Sequence, residues 1–311
     1  MSNNASSLIA LHGVLSTTAA AATPSHNTAR EPQAGLAERL LAEAASDRHV
    51  LAALAAYAVS CEVESPSRAD AIRDAVIARI LQNNCMVTVP GTVVGGALVP
   101  AFRVGAFLCG QGAFDTIQID PWTAPWTSIS FLEAKRISVE CGMALLTERQ
   151  ALAIASNIMH QPVNWTGGAV GHGRLYQGLH KGMCDGPQPG MRRSTCLFER
   201  RWHVLSNGEV IHDVSGNAYT WIFDDIQGNA DGIVAGPFPT HSPTVERAEE
   251  WPYPIGAGDG PSAGADYSGE ALIRGGHWFS GDVAGIFHLR AHEAERTEPE
   301  IGFRVTLPLA T

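Results

Sequence analysis

The sequence predicts an α+β fold with long loops, preceded by an N-terminal helical segment. Apolar residues recur at helical spacing before about residue 84 and at strand spacing after it. Two helix-start signatures lie between an early β region and a late one. Two long Gly- and Pro-rich stretches interrupt any regular repeat, as loops of a binding or catalytic domain do.

Residues 1–34, rich in Ser, Thr, Asn, Ala and Pro without a period, predict a flexible tail. In residues 35–84 the apolar positions Leu36, Leu40, Leu41, Leu51, Leu54 and Val59 fall near helical spacing, and Ile72, Val76 and Ile80 repeat every four residues. Ser67 with Asp70 has the form of a capping box for the second helix of a hairpin. A hairpin of this size buries little surface alone, so its stripe packs on the following domain or on copies of itself. The sequence leaves open whether these helices serve attachment and homo-oligomerisation or add a core layer.

From residue 85 the pattern is β: Met86 to Pro90, a turn at Gly95-Gly96, then alternation from Ala101 to Leu108. Ser130 to Glu133 reads as a capping box opening a helix to about Cys141, and Thr147 to Gln150 as another opening a helix to about Met159. Each such cap contributes about 1 kcal/mol. Gly167 to Gly190 and Gly228 to Gly269 are the two loop-like stretches. The chain then runs through a turn signal at Arg274-Gly275-Gly276 and ends in one strand-like alternation from Ile301 to Leu307.

Composition excludes several roles. A chain of 311 residues buries a substantial core without staples, and its net charge of -10, with no basic stripe, argues against a nucleic-acid partner. The six cysteines form no C-x-x-C pair, against a zinc ribbon or a redox dithiol; buried reduced thiols are expected, with a Cys184–Cys196 disulfide left open. No apolar run reaches the about 18 residues of a membrane helix, so membrane insertion is not expected. The run Leu8 to Leu15, broken by His12 and Gly13 and preceded by no cation, is a poor secretory signal, which predicts cytoplasmic assembly.

Between the turn and the closing strand, His277, Trp278, Phe279, Ser280, Asp282, Val283, His288, Arg290, His292 and Glu293 are interspersed with Gly281, Ala284 and Gly285. Large aromatic and polar side chains on backbone that can turn suit a binding surface. The motifs R-G-G-x-W, G-x-x-A-G-I-F and I-G-F-R resemble the C-terminal end of a C-type-lectin-fold domain of the formylglycine-generating-enzyme (sulfatase-modifying factor) subtype. G-D-V-A-G-I-F-x-L-x-A resembles the variable region of diversity-generating retroelement variable proteins. The resemblance extends through V-P-A-F-R-V-G, I-S-F-L-E-A-K-R, L-L-T-E-R-Q-A-L-A-I-A and the stretch Asp213 to Trp221, and so spans about Cys85 to Leu309. Leu146 and Ala151-Leu152 depart from the usual Pro and Glu-Trp of the second helix, which touches scaffold packing.

The resemblance implies a non-enzymatic ligand-binding domain over 85–311 with a hypervariable region at about 274–304. In that family an asparagine codon of a template is randomised at its two adenines, and it can then encode His, Phe, Ser, Asp, Val or Arg. Those are the residues at His277, Phe279, Ser280, Asp282, Val283, His288, Arg290 and His292; Glu293, also a candidate contact, must be invariant or come from another codon. Gly275, Gly276, Trp278, Gly281, Gly285, Ile301, Gly302, Phe303 and Arg304 are implied as scaffold, with Trp278 as a core anchor. The implied partner is a cell-surface protein or glycan, and the implied setting a phage tail or prokaryotic surface, in host adhesion.

Metal chemistry is the alternative. His288 and His292 would share a helix face able to bind zinc, but in a strand they stand roughly 13 Å apart, so no metal is expected there. Copper oxidases of the related enzyme type need a C-terminal cysteine pair, and none follows Cys196; sulfoxide synthases use a histidine pair on a helical domain, and residues 36–82 hold only His49. No cofactor is therefore expected beyond structural calcium, for which Asp224-Asp225 is the candidate, against a solvated turn. A metalloenzyme with relocated ligands and a structural virion protein are the alternative functions. Three histidines in the candidate site predict pH sensitivity near neutrality with the sign open.

Overall fold

The computed structural model describes residues 47–62, 66–197, 199–246 and 255–309. The chain divides into two units, residues 1–82 and 83–311. The expected tail and Leu36, Leu40 and Leu41 lie outside the described residues. In the first unit, α1 (Arg48–Cys61) packs along α2 (Pro66–Gln82). Asp47 caps α1, its carboxylate accepting from the His49 backbone N–H at 2.9 Å. Leu51, Leu54, Ala55 and Ala58 of α1 and Ala69, Ile72, Val76 and Ile80 of α2 form the buried stripes. Ser67 does not cap α2: the helix already includes Pro66, whose fixed φ and missing N–H suit a first turn.

The second unit mixes helices with open sheets. One sheet has the order β1 (Met86–Val89), β4 (Phe102–Gly105), β14 (Val305–Pro308), β7 (Ala144–Leu145), all antiparallel. Between its first two members sits a hairpin, β2 (Thr92–Val94) and β3 (Ala97–Val99), turning at Gly95-Gly96 as the glycines predict. Two small ribbons join β5 (Gly110–Gln111) to β6 (Ile117–Gln118) and β8 (Trp202–Val204) to β9 (Val210–His212). The other four-stranded sheet runs β12 (Gly285–Glu293), β11 (Glu270–Gly275), β10 (Tyr219–Ile222), β13 (Ile301–Phe303), with only the β10–β13 pair parallel.

Helices α3 (Phe131–Glu140) and α4 (Glu148–Met159) begin where their caps predict. Thr147 and Gln150 make the full reciprocal box; at Ser130 only the hydroxyl contributes, accepting from the Glu133 N–H at 3.2 Å. Leu152, Ile154, Ile158 and Met159 of α4 meet Val89, Val104, Ile222, Leu272, Phe287 and Leu289 in the core. Strands β10 and β11 are buried on both faces, so they show no alternation.

The expected single closing strand is two. Arg304 interrupts it, with β13 in one sheet and β14 in the other. Its fully buried guanidinium donates to the carbonyls of Gly105, His212 and Asp213, the second at 2.6 Å. A charge at that depth is tolerable only when its donors are all matched, and here the matching carbonyls lie between the sheets. Likewise β4 ends at Gly105 rather than running to Leu108. Stretch 167–190 holds no helix and no extended strand, and 228–269 holds a single helical turn, Pro243–Glu246, among the described residues.

Candidate binding surface

Strand β11 leaves the core with a shift of register against β12 between Arg274 and Gly275. Gly275 and Gly276 take φ of 97° and 84°, where a Cβ is strained. Arg274 fixes this exit. Its buried guanidinium donates Nε to Glu148 Oε2 at 2.6 Å and Nη1 to the Phe287 carbonyl at 3.0 Å, while the Thr244 hydroxyl donates to Glu148 Oε1 at 2.9 Å. Re-entry at Gly285 is equally constrained: a Cβ there would stand 2.0 Å from the Ala257 carbonyl carbon.

Between these points the loop 276–284 contains one 3-10 turn, Gly281–Val283. It is held mostly through its backbone. The Gly182 N–H donates to the Trp278 carbonyl and the Gly281 N–H to the His180 carbonyl, both at 2.8 Å; the Trp278 N–H reaches the Asn217 carbonyl at 3.3 Å. Buried Gln177 donates its side-chain amide to the carbonyls of Ala284 at 2.6 Å and Asp282 at 3.2 Å. None of these bonds depends on the side chain at 277, 279, 282 or 283. One does depend on a candidate contact: the His277 N–H donates to Ser280 Oγ at 2.9 Å.

The structure brings most of the predicted contact residues to one exposed region. Phe279 is 72% exposed; Asp282, Val283, Arg290 and Glu293 are exposed, and His277, Ser280 and His292 are half-buried. His288 departs from the expectation: it is 1% exposed. The cause is depth. Loop residues Ala257 and Asp259 accept hydrogen bonds from Phe287 and Leu289 along the outer edge of β12, and this cover holds Gly285 to Leu289 inside. The His288 ring lies 5.6 Å from the Tyr219 ring, with Nε2 3.0 Å from the phenol oxygen. Trp278 is also not in the core as expected; it is half-buried, with its ring edge-on to His277 at 5.2 Å. The remaining scaffold candidates Ile301, Gly302 and Phe303 are buried in β13.

Electrostatically the surface is set for neutral histidines. Burial pushes His288 down to about 4, with the Arg290 charge acting in the same direction. Burial also lowers His277 and His292. Asp282 is held below the usual carboxylate range by its hydrogen bond to Lys181 and that residue's charge. His288 and His292 lie on a strand, as expected, and among the described residues no three His, Cys, Asp or Glu side chains gather as metal ligands. The Asp224-Asp225 pair is not a solvated turn: Asp224 is fully buried and accepts from the Ile226 and Gln227 backbone, and Asp225 accepts from the Arg149 N–H at 2.9 Å. All six cysteines are free thiols.

Gln177, His180, Gly182, Asn217 and Tyr219 support the surface and were not singled out by spacing. The one sequence cue was the Asp213 to Trp221 motif, within which Asn217 takes a φ of 66° and bonds both backbone groups of Gln188.

No family model matches the chain, and no curated protein matches it. Among solved structures it is similar to Treponema denticola variable protein 1, at 12% identity and a TM-score of 0.36, covering 72% of this chain and 94% of that one. It is similar to the Major Tropism Determinant M1 variant, at 15% identity and a TM-score of 0.34, over 70% of this chain and 52% of that one, so it spans about half the length of that protein. It is also similar to PvdO from Pseudomonas aeruginosa, at 14% identity and a TM-score of 0.36, over 73% and 92% of the two chains.

Proposed function

We propose that residues 85–311 are a non-enzymatic binding domain of the C-type lectin fold, displaying a diversified surface at about 274–304, with residues 35–84 serving attachment or assembly. The partner is a protein or glycan on a cell surface, and the carrier a phage tail or prokaryotic surface. The observation that supports this most is the way loop 276–284 is held. Its path is set by Gln177, His180, Gly182 and Asn217 acting on backbone atoms, while Phe279, Asp282 and Val283 project from it. A surface built this way tolerates exchange of those side chains without loss of the fold. Arg290, His292 and Glu293 extend it, whereas His288 belongs to the frame.

The test changes Phe279, Asp282, Val283, Arg290 and His292 together to Ser and measures binding to a glycan array and to peptides selected from a displayed random library. Unchanged thermal unfolding with loss of the selected ligand is the expected outcome. A collapse of the fold, or ligands that bind the variant equally well, would overturn the reading.

A further inference from the structure

We infer that the binding face has a constant half, a cationic cleft on segment 179–199 beside the exchangeable loop, which takes an acidic, extended segment of a protein partner. The inference rests on the binding role proposed above and adds to it a site outside the diversified stretch.

The two segments form one surface. Besides the Gly182–Trp278 and Gly281–His180 backbone bonds, the Phe279 ring lies directly over Gly182, where a Cβ would come within 2.5 Å of it. Lys181 Nζ pairs with the Asp282 carboxylate. Immediately beyond Gly182 a shallow cleft opens between Leu179, Met183, Arg192, Arg193 and Ser194, with Glu199 at its base. The base is rigid: the Glu199 side chain is 1% exposed, accepts from the backbone N–H groups of His180 at 2.7 Å and Lys181 at 2.9 Å, and binds the Ser194 hydroxyl. Its charge is therefore consumed, and Arg192 and Arg193 face solvent.

Charge selects the occupant. Between residues 181 and 193 the chain carries Lys181, Arg192 and Arg193 against Asp185 alone, in a protein whose net charge is -10. Arginine beside an exposed apolar side chain is a common hot-spot composition. Met183, 60% exposed, supplies that side chain, and methionine adapts its shape to unlike partners. Such a cleft suits a face whose other half is exchanged: it gives a constant electrostatic anchor, and the loop refines the fit. An anionic glycan is the competing occupant. A pocket with an apolar wall and an apolar neighbour in Phe279 favours a peptide carrying Asp or Glu beside a hydrophobic residue.

The experiment pans a random peptide display library on the full chain and measures the enriched peptides by calorimetry at low and moderate salt. Arg192→Ser/Arg193→Ser and Phe279→Ser variants are run in parallel. The expected result is enrichment of Asp and Glu, at least tenfold weaker binding to the double arginine variant, and weakening by salt. Peptides without acidic bias, equal affinity for the arginine variant, or retention on heparin with no peptide enriched would overturn the constant cleft. In those cases loss of affinity in Phe279→Ser would leave the exchangeable-loop reading standing, whereas peptides indifferent to both variants would remove it as well. Unfolding of each variant is followed by circular dichroism, and Met183→Ser repeats the measurement if the arginine variant is unstable.

Discussion

The two halves of β12 have the same extended backbone and opposite fates. From Gly285 to Leu289 every side chain is buried, on both faces; from Arg290 to Glu293 the strand is exposed or half-exposed. The difference is not in the strand but in its neighbour. Residues 257–259 bond to the outer edge of the first half and bond to no residue beyond Leu289. Whether a side chain in this region can be exchanged is therefore decided by where its cover stops, and alternation along the chain does not reveal that. His288 and Arg290, two residues apart on one face, fall on opposite sides of the boundary.

The sharpest way to break the comparison is to attack the frame. Glu148→Ala leaves the buried Arg274 guanidinium without its carboxylate. Losing one partner of a buried pair costs about 3–5 kcal/mol, read by urea denaturation. If the cost is under about 1 kcal/mol, the frame is not held as described. Next, His288→Ala should cost about 1–3 kcal/mol through a cavity and an unpaired Tyr219 hydroxyl, while Arg290→Ala changes stability by no more than about 0.5 kcal/mol. Equal effects would erase the boundary at residue 290.

Acid sharpens the same contrast. Burial pushes both His288 and His203 down to about 4. An unfolded histidine titrates near 6.5, so below that pH the unfolded chain binds protons that the folded chain does not. Stability is accordingly flat above about pH 6.5 and falls between there and about pH 4. Thermal unfolding measured across that window should decline, and His288→Phe should flatten the decline. A stability that rises toward acid would contradict the burial. The smallest effect is expected at the loop tip: Phe279→Ser should leave the melting temperature nearly unchanged, within about 2 °C.

Much of this was legible in the sequence and some was not. The Thr147 box and the Gly95-Gly96 turn are local signals, and the structure keeps both. The break at Arg304 was not legible, because the carbonyls that receive its guanidinium are contributed by Gly105, His212 and Asp213, far away along the chain. Ser67 was misread because its spacing to Asp70 fits a cap equally well one turn into a helix. Gln177 was invisible for the same reason as Arg304: its target carbonyls are 105 and 107 residues distant. At the candidate site, residue type pointed to exposure correctly for Phe279, Asp282, Val283 and Arg290 and failed for His288, whose depth depends on a loop some thirty residues earlier.

The strands that follow the displayed loop do not hang at the rim of the molecule. β14 lies between β4 and β7, and β13 completes the other sheet beside β10. During synthesis the earlier strands must wait for partners that emerge last, and a chain interrupted anywhere in the loop has two unfinished sheets with bare edges open to aggregation. Whatever the loop encodes, only a polypeptide read through to its final strands presents it.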